Sequence, residues 1–132
     1  MYLSAARAYL FNLVLAERVR QGSWNLSMEG EVDPSGPLWG RGRSRASEQV
    51  RELESQVLQP WQDWCHGMEF SGLSQERRPL LLMPGEFSCQ WLNQPETDQV
   101  DLELSFSLPT GCFATALLRE VAELQQPRAV AE

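Results

Sequence analysis

The run from Leu102 to Leu108 (LELSFSL) alternates apolar and polar side chains, and through Pro109 and Gly111 it passes directly into a stretch, Ala114 to Glu123, whose apolar residues recur with helical spacing. A period of two places Leu102, Leu104, Phe106 and Leu108 on one face of a half-buried strand. A period near 3.6 gives the following helix an apolar stripe of its own. Gly111 lets the backbone turn sharply between them, and the first N–H groups of the helix face outward, where an anion can bind. Many strand-to-helix turns serve only to connect, so the junction constrains the fold before it says anything about chemistry. It demands a strand and a helix in immediate succession, each with a face to bury, and hence an α+β architecture.

A chain of 132 residues is one-domain size, able by surface scaling to bury roughly two-thirds of its unfolded surface. With 42% hydrophobic and 22% charged residues the composition is globular, and no apolar run approaches the ~20 residues of a membrane span. The N-terminus lacks the layout of a secretory signal, because Ser4, Arg7 and Asn12 interrupt its apolar residues and Glu17, Arg18 and Arg20 follow. A cytoplasmic location is expected. Cys65, Cys89 and Cys112 are odd in number and widely spaced, which suits free thiols and neither a disulfide framework nor a zinc site. His66, the only histidine, has no second ligand pair, so no metal is expected.

The formal charge of −7 opposes nucleic-acid binding, since phosphate contacts dominate that affinity. Distribution qualifies the total. Arg7, Arg18, Arg20, Arg41, Arg43, Arg45 and Arg51 cluster early, and every basic residue is arginine, the side chain suited to bidentate phosphate contact.

Periodicity predicts a first helix from a Ser4 cap to about Gln21, with Ala6, Tyr9, Leu10 and Leu13 on one face, widened by Phe11, Leu15 and Val19. Gly22 is placed to end it, with Arg18 and Arg20 in its last turn. Residues 23–45 read as a loop rich in Gly, Pro and Ser and anchored by Trp24 and Trp39, with Gly36 available for a type II turn. Within it Arg41, Arg43 and Arg45 form either a solvated basic stretch or a phosphate contact. A second amphipathic helix follows from Ser47, using Val50, Leu53, Val57, Leu58 and Trp61, exposing Glu52 and Glu54, and ending or kinking near Pro60. Residues 67–75 read as a connection. Three strands are expected at Pro79–Met83, Glu86–Leu92 and Val100–Leu108, the first buried on both faces. The tail beyond Pro127 is expected to fray.

Four segments in order resemble the tRNA pseudouridine synthase D family: Leu3–Asn12 (LSAARAYLFN), Pro34–Gly40 (PSGPLWG), Gln75–Arg78 (QERR) and the Leu108–Glu120 junction. The resemblance runs from about Tyr2 to Glu120 and corresponds to the C-terminal part of a family member. It implies isomerisation of a tRNA uridine, uridine-13, to pseudouridine: the N-glycosidic bond breaks, the base turns over and rejoins through carbon, with no cofactor. The target base must leave its stack. It also implies that residues 1–78 are a shortened, mainly helical insertion domain, that 79–126 are the last strands and helix of the catalytic domain, and that 127–132 are a tail. Phe113 and Thr115 then line the active-site pocket, Phe113 packing on a base. Arg7, Arg77, Arg78 and Arg119 join Arg41, Arg43 and Arg45 as RNA contacts, with a helix-packing ion pair the alternative for Arg7 and Glu76 fixing one of its neighbours.

The family's catalytic aspartate and its Asn/Phe motif belong to the N-terminal part of the catalytic domain, and neither is found here. Asp33, Asp63, Asp98 and Asp101 have no catalytic setting. Residues 25–33 are shorter than the family's corresponding segment, and Met1 falls inside the family alignment, as a mis-called start, a truncated gene or a split gene would produce. The expectation is therefore a C-terminal fragment, inactive alone, whose partners are tRNA and the missing N-terminal catalytic half. The alternatives are a non-catalytic RNA-binding module using Arg41, Arg43 and Arg45 with Trp24 or Trp39 as stacking surfaces, or a degenerate remnant.

Overall fold

The computed structural model describes residues 2–93 and 95–125. They divide after Leu81 into two compact units. In the first, helix α1 spans Tyr2–Arg20. It begins two residues before the expected Ser4 cap, so Ser4 lies within its first turn. At its end Gly22 adopts φ +70°, Ser23 N–H donates to Arg18 O at 2.8 Å and Gly22 N–H to Val19 O at 3.0 Å. That pair of bonds is a Schellman cap, which needs a residue at ease with positive φ. The buried stripe is Leu10, Phe11, Val14 and Arg18. It is rotated from the expected face, leaving Tyr9 and Val19 43% and 54% exposed.

Helix α2, Glu48–Leu58, buries Val50, Leu53, Glu54 and Leu58. Pro60 does not end the helical path. It sits at the start of a 3-10 turn, Gln59–Trp61, where a missing N–H is tolerated, and the chain resumes as α3, Gln62–Phe70, burying Cys65 and Met68. The connection expected from residue 67 thus begins only after Phe70. Leu10, Val14, Leu53, Leu58, Cys65 and Met68 form one core, flanked by Ala6, Leu13, Met28, Trp39, Val57 and Trp61. Each large aliphatic side chain there contributes roughly 1.5–3 kcal/mol.

A short antiparallel pair covers α1: β1 at Ser35–Leu38 and β2 at Glu76–Pro79, in register from Ser35 opposite Pro79 to Leu38 opposite Glu76. Here the sequence reading is corrected twice. The loop assigned to 23–45 contains a strand, and the strand assigned to Pro79–Met83 lies earlier, on the polar segment. Pro79 has no N–H to continue a ladder, and beyond it only Leu80 N–H reaches back, to Pro34 O at 3.0 Å. The residues expected to be buried on both faces are not: Leu80, Leu81 and Leu82 are half-buried and Met83 is 67% exposed. Gly36 forms no positive-φ turn. It is packed so closely that a Cβ there would lie 2.8 Å from the Phe11 ring.

The second unit is a hairpin of β3, Gly85–Asn93, and β4, Val100–Ser107, followed by α4, Ala114–Val121. The strands pair from Asn93 opposite Val100 to Ser88 opposite Ser105. An irregularity then precedes Gly85 opposite Ser107, where Glu86 takes φ +49°. Alternation in β4 is as expected: Leu102, Leu104 and Phe106 are half-buried, Asp101, Glu103 and Ser105 exposed. In place of the three expected strands, four strands form two two-stranded ladders. None of the described residues of this unit is buried. The expected tail at 127–132 lies outside the described residues.

Candidate nucleic-acid interface

The arginines fall into two groups. Arg18 is fully buried. Its guanidinium meets Glu31 through both carboxylate oxygens, Nη2 to Oε2 at 2.9 Å and Nη1 to Oε1 at 3.4 Å, and donates to the carbonyls of Ser23 and Leu26. Glu31 also accepts from Met28 N–H and Ser35 N–H, both close to 3 Å. Burial pushes the Glu31 carboxyl up, but Arg18 and the two backbone donors outweigh it and hold the group below its ordinary value. Sequence reasoning placed Arg18 at a helix end and missed this role. The usable signal was its spacing, four residues beyond Val14 and eight beyond Leu10.

Arg77 is the second such anchor. It donates to Glu54 at 2.6 Å, to Ser35 Oγ at 3.1 Å and to Ser35 O at 2.7 Å, tying β2 to α2 and β1. Glu54, expected to be exposed, is 2% exposed. Burial raises its carboxyl above the ordinary value and the Arg77 charge only partly opposes this. Arg7 donates to Leu38 O at 2.9 Å and to Ser74 O, and lies 3.6 Å from Glu76. These contacts join α1 to β1 and β2, and the Glu76 carboxylate faces Arg7. Arg20 pairs with Glu17 on the surface, and Arg78 lies 5.2 Å from the centroid of the Phe11 ring.

The other group lies at 41–51. Arg41, Arg43, Arg45 and Arg51 are exposed, and none forms an ion pair among the described residues. The backbone of Arg41 is held in place, bridging to Ser74 through Arg41 N–H to Leu73 O at 2.7 Å and Gln75 N–H to Arg41 O at 2.9 Å. Gly40 permits this approach, since a Cβ there would meet the Ser74 backbone at 2.5 Å. Trp39 is not a stacking surface. It packs against the core and donates its indole N–H to Glu69 at 3.1 Å. Trp24 is half-buried.

In the second unit the junction has the geometry its residues require. Gly111 adopts φ +87°, and Phe113, 68% exposed, occupies the cap position of α4 in extended conformation. Thr115 and Arg119 are exposed on the same helix. Burial raises the Cys65 thiol to about 11, with Glu69 adding to it, so the thiol is un-ionised at neutral pH. Among the described residues no group of three or more His, Cys, Asp or Glu could hold a metal, and no helix is long and apolar enough to cross a membrane.

A sequence model described as tRNA pseudouridine synthase D (TruD) matches residues 25–121. The chain belongs to this family. Relatives named tRNA pseudouridine synthase D include those of Cellvibrio japonicus, 50% identical over 94% of this chain and 36% of the relative, and Nitrosococcus oceani, 40% identical over 96% and 42%. That of Xanthomonas axonopodis pv. citri is 40% identical over 94% and 40%. The chain thus spans about two fifths of the length of the curated relatives it matches. The Cellvibrio alignment has 126 positions for about 124 residues of this chain, 94% of 132, so within the aligned stretch almost every position has a counterpart here. The Nitrosococcus alignment needs 154 positions for about 127 residues, 96% of 132, leaving some 27 without a counterpart here. The short segment between α1 and β1 is therefore matched in length by a TruD relative more than two and a half times as long as this chain.

Proposed function

We propose that this chain is the C-terminal portion of a tRNA pseudouridine synthase acting on uridine-13, and that the catalytic aspartate comes from synthase sequence outside it. The observation that carries the reading is the second unit, a hairpin and a helix in which no described side chain is buried, although Leu102, Leu104 and Phe106 form a regular apolar row. Such a surface is built to be covered, and the family relatives are long enough to supply the cover. Residues 1–78 then belong to the insertion domain and 79–126 to the catalytic domain. Phe113, held at the start of α4, is the ring on which a flipped base packs, with Thr115 beside it and Arg119 toward a phosphate. Arg41, Arg43 and Arg45 contact RNA from the insertion domain. Arg7 and Arg77 support that surface from beneath, and Arg78 lies against Phe11. No cofactor takes part, and the compartment is the cytoplasm.

Incubating tRNA with this chain alone is expected to give no pseudouridine but salt-sensitive tRNA retention. Turnover by the chain alone contradicts the reading. The first unit's own core, with its unpaired arginines, favours a second reading in which the chain binds RNA as an accessory module. Retention without turnover even when the rest of a synthase is supplied is its signature.

A further inference from the structure

We infer that Arg43, Arg45 and Arg51 together form a clamp for one segment of RNA phosphodiester backbone at the start of α2. Arg41 stands outside this clamp. This inference rests on the tRNA reading and deepens it by naming a unit of three side chains, one of which, Arg51, lies outside every sequence motif that pointed to RNA.

An open surface depression of about 450 Å³ is lined by Arg43, Ser44, Arg45, Ala46 and Arg51, three arginines and no acidic residue. Elsewhere in the first unit, Arg7, Arg18, Arg20 and Arg77 each face a glutamate. The clamp arginines have no ion pair among the described residues. Three cations held around one opening in a chain of net charge −7 repel one another unless an anion sits among them. The lining is also anchored. Ala46 N–H donates to Ser44 Oγ at 3.2 Å and Arg51 N–H to Ser47 O at 2.9 Å, so Arg51 belongs to the first turn of α2 and Arg43 and Arg45 to the preceding loop. Arg45 also borders a neighbouring depression of about 520 Å³ with Ser74, Gln75, Glu76 and Arg77. Arg41 instead lines a separate cavity with Glu69, Phe70 and Gly72, where a carboxylate is already present.

The test uses the full chain, unmodified bacterial tRNA and binding measured across a salt series. Replacing Arg43, Arg45 and Arg51 with glutamine is expected to weaken binding at least tenfold and to lower the slope of log K against log salt by about two to three. R20Q, removing one exposed charge that has no assigned RNA contact, is expected to change binding less than threefold. Lysine at the three clamp positions is expected to restore the slope but only part of the affinity, because an ammonium cannot contact phosphate in bidentate fashion. Circular dichroism of each variant checks the fold. An unchanged slope in the triple glutamine variant, with the unaltered chain still binding tRNA, overturns the clamp and leaves the tRNA reading standing. Equal losses from R20Q and R51Q overturn it in favour of diffuse charge. Failure of the unaltered chain to bind tRNA overturns it as well; the synthase reading then rests on turnover once the rest of the enzyme is present. If inorganic phosphate binds the unaltered chain and not the triple variant while RNA binding is the same for both, the site is for a free anion and the inference fails.

Discussion

The buried Arg18–Glu31 pair shows how one side chain can hold a loop that has little apolar surface of its own. Arg18 has no exposure, and Glu31 joins it to the amides of Met28 and Ser35. Glu31→Gln is expected to destabilise the first unit by about 3–5 kcal/mol at neutral pH, because it leaves a buried guanidinium without its counter-ion. Trp fluorescence in a urea titration measures this. The pH dependence has a definite sign. Glu31 has a lowered folded-state value, so its contribution is complete above the ordinary carboxylate range and is lost as pH falls through the lowered value. The deficit of Glu31→Gln should therefore shrink in acid. Glu54 is opposite: its raised value means that stability declines as pH rises from the ordinary carboxylate value through the raised one. Glu54→Gln should remove that decline and cost less at neutral pH than Glu31→Gln, since burial already disfavours the Glu54 carboxylate whereas the partners of Glu31 favour its ionised form. None of these partnerships was legible in the sequence. An arginine on a buried stripe and a glutamate facing a core look like their solvated counterparts until the partner, 13 or 23 residues away, is known.

At the scale of elements, legibility followed the apolar pattern. α1, α2, the β3–β4 hairpin and α4 carry helical or alternating periods and were read nearly where they occur. β1 and β2 were not. Their segments, SGPL and ERRP, hold two prolines, a glycine and three charges, and they are strands because Arg77 and Arg7 find partners across the fold, with the Phe11 ring filling the space over Gly36. Gly36→Ala is accordingly expected to destabilise the unit by roughly 1–3 kcal/mol through overpacking, measured by the same urea titration. The end of α3 was read too early because Gly67 was taken to open a connection, although Trp61, Cys65 and Met68 keep helical spacing to Phe70. The hairpin gives a contrasting expectation: lacking buried side chains, the amides of β3 and β4 should exchange with solvent much faster than those of α1 and α2. Protection in the hairpin equal to that in α1 would contradict the uncovered surface.

For the whole molecule, the candidate site was partly legible. The junction at Gly111–Phe113 and the arginines at 41–45 follow from sequence, while Arg51 required the fold to bring it beside Arg43 and Arg45. The short α1–β1 segment, which suggested a remnant, is matched in length by the Cellvibrio synthase and so need not signify decay. The central claim is that this chain contributes the RNA-facing and pocket-lining part of a synthase whose remaining part supplies the aspartate. The most direct measurement is pseudouridine formation in tRNA by a chimera in which residues 2–125 replace their aligned counterpart in the Cellvibrio japonicus enzyme, assayed beside this chain alone. The account predicts turnover by the chimera, at least a hundredfold loss on Phe113→Ala, and none by the chain alone. A folded chimera that binds tRNA but forms no pseudouridine, or turnover by the chain alone, would contradict it.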